Sequence, residues 1–179
     1  GSVRLLLDCK SRGWVPNLSP QLGNYVRTNS EALVGVTAND KNADYSDQVS
    51  ITSGIYLDEN THVEVVRFNK GSDLMGLLTA PLTDGGERIP RVVRFIGNVI
   101  QHPWALLRTL WPFGWGARTS ILLVMQTLEN HIRFDFKRRW WRLGGRTMNS
   151  KLAPGAKRIP SYIPIANEIA RRMGERING

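Results

Sequence analysis

From Arg88 to Leu128 the chain carries no acidic residue, yet it holds Arg88, Arg91, Arg94, Arg108 and Arg118 and three of the six tryptophans, Trp104, Trp111 and Trp115. Indole rings favour the boundary between water and lipid headgroups, and each arginine near an anionic leaflet contributes about 1 kcal/mol. Trp104, Trp111, Trp115, Arg91, Arg94 and Arg108 are therefore candidate contacts to an anionic membrane surface. The competing reading is a helical lid that buries its tryptophans. A second basic region, Arg133, Lys137, Arg138, Arg139, Arg142 and Arg146, surrounds a lone Asp135 and encloses Trp140-Trp141. Interleaved cations and aromatics can grip single-stranded nucleic acid. No nucleic-acid motif accompanies these residues, so an exposed hairpin is the simpler origin and nucleic acid is an unfavoured partner.

Other chemistries find less support. His62, His102 and His131 lie far apart, none in a metal-ligand spacing, and Cys9 stands alone, so we expect neither a metal site nor an internal disulfide. No G-x-G-x-x-G occurs. The chain thus lacks the glycine-rich turn that seats a dinucleotide pyrophosphate at a helix N-terminus.

These residues need a scaffold, and composition bounds it. With 179 residues, 41% of them apolar and 22% charged, the chain is expected to fold as one domain over 1–179. A net charge of +9 favours polyanionic partners. The longest uncharged apolar stretch, Phe95 to Leu107, is interrupted by Gln101, His102 and Pro103, short of the about 20 residues that span a bilayer. With one cysteine and no signal-peptide pattern at the N-terminus, the expected location is cytoplasmic or peripheral to a membrane.

The elements follow from periodicity. A first helix opens with Ser2 as N-cap, carries Leu5, Leu6 and Cys9 on one face and stops at Gly13. Ala32 to Thr37, Val49 to Leu57 and Thr61 to Phe68 read as strands, the last two joined across Asp58-Glu59-Asn60. Ser72 or Asp73 caps a short helical turn. Val92, Phe95, Ile96, Val99 and Ile100 mark one face of a helix, and Pro103 starts a shorter one. Ile121 to Leu128 is a strand turned by Glu129-Asn130 into the alternating strand of Ile132, Phe134 and Phe136, and Thr147 to Leu152 follows. Pro164 opens a last helix through Ile165, Ile169, Met173 and Ile177, ended by Asn178-Gly179. The sum is an α+β fold: a mainly antiparallel sheet of about six strands with helices packed on one face.

The opening third resembles a known family. A Gly1-Ser2-x-x-Leu5-Leu6 helix start, the Val15-Pro16-Asn17-Leu18 loop and the Gly23 to Asn29 stretch occur in the order and spacing of the flavin-dependent glucose-methanol-choline (GMC) oxidoreductases, within them the cholesterol oxidase branch. The resemblance implies a substrate-binding domain, the FAD-binding domain lying outside this chain and residues 82–118 forming a helical insertion or lid. It implies a role beside the flavin for Asn29, with Arg27 and Thr28 standing where cholesterol oxidases have Gly-Pro. Val63-Glu64-Val65-Val66-Arg67 is similar to a strand whose glutamate is the base that isomerises a steroid double bond, which makes Glu64 the candidate catalytic residue. That role requires a carboxylate in apolar surroundings; the alternative is an ordinary solvated strand glutamate. Met125 and Gln126 end a strand that the family places against the substrate. The implied whole is an FAD enzyme oxidising a steroid or another hydrophobic alcohol, of which this portion is inactive alone, binds no cofactor by itself and can self-associate where the flavin half docks. A peripheral lipid-binding module is the alternative function.

Overall fold

The structure, a computed structural model, describes all residues except 28, 29, 48, 87, 139–144, 158 and 159. Its chain traces two compact units, one of residues 1–29 and 128–159, the other of residues 30–127 and 160–179.

The larger unit is built on a four-stranded antiparallel sheet of β1 (Ser30–Thr37), β2 (Ile51–Asp58), β3 (Thr61–Arg67) and β4 (Thr119–Gln126) in the order β1-β4-β3-β2. β2 and β3 form the expected hairpin, but Asp58 already pairs with Thr61, so the turn is Glu59-Asn60, closed by the Asn60 N–H donating to Asp58 Oδ1 at 2.8 Å. β4 is bonded on both sides, to β1 and to β3. The last helix, α5 (Pro164–Ile177), covers β1 and β4. Its Ala166 and Ala170 join Val34, Val36, Val63, Leu122, Val124 and Ile163 in the core. Small residues face the sheet, and the larger Ile165, Ile169, Met173 and Ile177 pack around them. Asn178 ends the helix in the left-handed conformation (φ 49°), as its sequence predicts.

Between β3 and β4 run a 3-10 stretch (Lys70–Leu78), α2 (Arg91–Gln101), α3 (Pro103–Thr109) and the single turn α4 (Trp115–Arg118). Asp73 does not cap its own turn. Its carboxylate instead accepts the backbone N–H groups of Gly114 and Gly116 at 2.9 and 2.8 Å, tying the start of α4 to the 3-10 stretch. α2 and α3 pack on each other, whereas α5 is the helix laid broadly on the sheet.

The smaller unit pairs β5 (Ile132–Arg138) with β6 (Arg146–Leu152), α1 (Ser2–Ser11) packing on β5. Gly1, not Ser2, stands at the N-cap of α1, and no side chain caps it. The loop before β1 is pinned to β5: Val26 and Ile132 exchange backbone bonds of 2.9 and 3.0 Å, and the Phe134 N–H donates to the Gly23 carbonyl at 2.8 Å. Gly23 has φ +86°, and a Cβ there would lie 3.3 Å from the Phe134 carbonyl oxygen, so glycine suits the site twice over.

Two expectations about the sheet are corrected. The six strands divide into a sheet of four and a sheet of two. Strands β4 and β5 do not pair across Glu129-Asn130, because both edges of β4 are occupied by β1 and β3. No helix among the described residues is long and apolar enough to cross a membrane.

Candidate functional site

β3 and β4 run in the register His62↔Met125, Val63↔Val124, Glu64↔Leu123. Side chains alternate along a strand, so Val63 and Val124 enter the α5 side while His62, Glu64, Leu123 and Met125 share the opposite face. β1 places Leu33 across from Leu123, and β2 places Gly54 across from Glu64 and Tyr56 across from His62. The result is a sheet face that carries apolar side chains and two carboxylates, Glu64 on β3 and the exposed Glu31, which stands across from Met125 on β1. Leu33 and Tyr56 are exposed there, and Glu64 keeps 25% side-chain exposure.

His62 approaches the carboxylate, its Nδ1 lying 3.7 Å from Glu64 Oε1. That is beyond a hydrogen bond, so the two attract as an ion pair only when the imidazole is protonated. Tyr56 stacks on the imidazole at 4.5 Å between centroids. Gly54 makes room for it: a Cβ there would fall 2.4 Å from His62 Nε2. Period-two spacing is the signal that joins His62 to Glu64, and it is legible without the fold. Such a carboxylate, fixed on a strand bonded on both sides, can exchange a proton with a ligand laid across the face.

Met125 lies on this face, but Gln126 does not. One residue further along β4, its side chain turns to the α5 side and Nε2 donates to Thr61 Oγ1 at 3.1 Å, so the pair Met125 and Gln126 is split by the pleat.

In the smaller unit, Arg27 follows Tyr25, which adopts φ 51° and stacks on His131 at 4.7 Å. Arg27 Nη2 lies 3.3 Å from Glu129 Oε1, and both side chains are largely in solvent, so the pair contributes less than about 1 kcal/mol. Thr28 and Asn29 lie outside the described residues, as do Arg139, Trp140, Trp141 and Arg142 of the basic region. The described part of that region is partly neutralised. Lys151, Arg133 and Lys137 approach Asp135 at 2.6, 3.4 and 3.8 Å, and the Lys151 bond holds its carboxyl below the usual carboxylate range.

The arginine and tryptophan tract also divides. Trp104 (79% exposed) and Trp111 face solvent. Trp115, at 5%, does not: it packs beside Phe68 at 5.6 Å and over Gly76, where a Cβ would come within 2.9 Å of its ring. Trp115 is therefore a core residue and is withdrawn from the surface set. Arg91 donates to the carbonyls of Thr83 (3.0 Å) and Ser161 (2.8 Å), and Arg108 to Asn39 Oδ1 at 2.6 Å. Beneath them is a network that sequence reasoning missed. Asn167, 2% exposed on α5, donates to the Thr83 carbonyl (3.2 Å) and to Asp84 Oδ1 (2.7 Å), while Arg171 reaches Asp84 Oδ2 at 2.6 Å. The bond from Asn167 and, after it, the Arg171 guanidinium hold the Asp84 carboxyl below its ordinary value.

Two surface depressions, of about 350 and 510 Å³, are lined by neither Glu64 nor Met125 nor Arg27. Among the described residues no group of three or more His, Cys, Asp or Glu side chains is arranged to hold a metal ion.

Comparison with known proteins gives whole-chain similarity to one kind of enzyme. Over 179 residues the chain is 37% identical to a cholesterol oxidase of Acinetobacter baumannii, and over 185 residues 40% identical to cholesterol oxidases of two Mycobacterium tuberculosis strains, CDC 1551 / Oshkosh and H37Rv. All of this chain is covered, but only 32% of each relative, so the chain spans about a third of the length of the curated relatives it matches. No protein-family profile matches the chain. No solved structure matches it either.

Proposed function

We propose that this chain forms the substrate-binding portion of an FAD-dependent GMC oxidoreductase that oxidises a steroid or another hydrophobic alcohol. Similarity over the whole of this chain, and 32% of each relative, to cholesterol oxidases at 37–40% identity supports the reaction class. The observation that carries the assignment of a wall is Glu64, held with His62, Leu123 and Met125 on the sheet face opposite α5. Leu123, Met125 and Leu33 offer apolar surface to a ring system, with Glu31 beside Met125 at its edge, and the central strands fix the position of the Glu64 carboxylate.

A bound flavin would supply the acceptor for the hydride that leaves the carbinol carbon. The four-stranded sheet is antiparallel throughout and offers no crevice at parallel strand ends, so the pyrophosphate would be held by residues other than those of this sheet. Arg27, Thr28 and Asn29 are proposed to border the flavin ring, and the portion alone is proposed to be inactive. Glu64 then acts on the ketone. It removes a proton from the carbon between the carbonyl and a neighbouring double bond and returns it at the far end of that double bond, so that the alkene moves into conjugation and the carboxylate is regenerated. A ligand that covers the face would exclude water from Glu64.

The test uses the protein that carries this chain at full length. Mixed anaerobically with cholesterol, it is expected to lose its oxidised-flavin absorbance within a turnover. An oxidised spectrum that persists with cholesterol and with other hydrophobic secondary alcohols would refute the assignment.

A further inference from the structure

Glu64 has a neighbour that is itself held in place. Two residues before it on β3, the His62 imidazole meets two residues of β2. The Tyr56 ring stacks on it at 4.5 Å and 23°, and Gly54, the partner of Glu64 in the register, leaves the notch that receives its Nε2 edge, since a Cβ there would fall 2.4 Å from that atom. The ring so placed sets Nδ1 at 3.7 Å from Glu64 Oε1, both side chains being only about a quarter exposed. The other ionisable groups of the sheet stand elsewhere. Glu31 is two strands away on β1, Asp58 accepts the Asn60 N–H in the hairpin turn, β4 contributes none, and Arg67 has the opposite strand parity.

We propose that His62 is a positioning residue for Glu64, leaving the carboxylate open to the substrate while the imidazole is neutral and capturing it once the imidazole is protonated. This rests on the reading of Glu64 as the proton-transfer base. At 3.7 Å a neutral imidazole makes no hydrogen bond to the carboxylate, so Oε1 can take the proton that leaves the ligand carbon. An imidazolium carries a proton on both nitrogens. A movement of about 1 Å then closes the gap to the roughly 2.8 Å of a charge-assisted bond, and the oxygen that should meet the substrate is occupied by Nδ1–H. Imidazoles change charge between about pH 5 and 8, above the range in which ordinary carboxylates take up protons, so the base is withdrawn while it still carries its charge. Tyr56 and Gly54 serve the same end. The stack keeps the ring from swinging out, and the notch sets which nitrogen meets Glu64.

The experiment follows double-bond migration alone: the full-length protein receives the unconjugated ketone of cholesterol at saturation, and the conjugated product is read between about pH 5 and 8. The parent rate is expected to fall by about tenfold per pH unit at the acid end, as a single blocking proton dictates. His62→Gln keeps a polar side chain but no titrating group. At about pH 5 it should retain on the order of tenfold more of its rate at about pH 8 than the parent does. Gly54→Ala keeps the imidazole but fills the notch, and should move the acid limb in the same direction, the fold of each variant being followed by circular dichroism. Glu64→Gln separates the two claims. Migration at the parent rate in Glu64→Gln overturns the base and the role of His62 with it. Migration lost in Glu64→Gln, with an acid limb unmoved in either His62→Gln or Gly54→Ala, overturns the role of His62 and leaves the base in place.

Discussion

Replacing Asn167 with alanine removes one buried amide from beneath the 83–86 loop. The side chain gives two hydrogen bonds, one to the Thr83 carbonyl at 3.2 Å and one to the Asp84 carboxylate at 2.7 Å. A neutral bond of this kind contributes about 0.5–1.5 kcal/mol and one to a charged group about 1.5–3 kcal/mol. Asp84 is nearly half exposed and regains water when its partner leaves, so the expected loss sits at the low end, about 2 kcal/mol. Equilibrium urea unfolding followed by tryptophan fluorescence should show a lower midpoint at unchanged slope. The pH dependence carries a second signature. Asp84 has a folded pKa depressed below 3.8, so its contribution is present above that value and is lost as the pH falls through the folded pKa. Asn167→Ala removes the largest cause of that depression, and the acid-sensitive part of stability should shrink with it. Asn167→Asp sets a second carboxylate against Asp84 and should cost more than Asn167→Ala at neutral pH, recovering as acid protonates one of the pair. The reasoning is refuted if Asn167→Ala stays within about 0.5 kcal/mol of the parent, the range of an uninvolved surface site, or if Asn167→Asp is no worse than Asn167→Ala at neutral pH.

Two glycines give sharper local tests. Gly76→Ala puts a methyl group 2.9 Å from the ring of buried Trp115, and overpacking of this kind costs about 1–3 kcal/mol; an unchanged unfolding temperature would show that Trp115 is free to move. Gly54→Ala meets only the far end of the His62 side chain, so stability should hardly change. The imidazole should instead swing away from Tyr56, and proton NMR should show its ring-current shift disappear; an unaltered His62 resonance contradicts the stacking described.

Element types were largely legible, and their directions less so. Alternation through Val63, Glu64 and Val65, the helical period from Val92 to Ile100 and the Pro164 and Asn178 signals of α5 each gave the right kind of element, because each reflects local backbone geometry. Pairing is not local. Glu129-Asn130 offers a turn, but β4 recruits β1 from more than eighty residues away and leaves β5 no edge. Amphipathicity likewise shows that α2 has two faces without showing which residues meet protein: Arg91 and Asn98 are hydrogen-bonded, Phe95 and Val99 are half-buried, and Val92, Arg94 and Ile100 are exposed. Trp115 looked like its neighbours Trp104 and Trp111 in composition, and the cleft over Gly76 separates it from them. At the candidate site, Glu64 stands out by its place in an apolar strand, and strand parity alone adds His62 and separates Gln126 from Met125. Asp73 stays hidden, since nothing in its own segment points to backbone amides about forty residues later.

The central claim is that Glu64 is a proton-transfer base on the substrate face, and product analysis of Glu64→Gln in the full-length protein tests it most directly. Given cholesterol, this variant should still consume the alcohol but release the ketone with its double bond unmoved, the migration being slowed by about 10²–10⁴, the contribution of a positioned general base. Migration at the parent rate in Glu64→Gln would contradict the account.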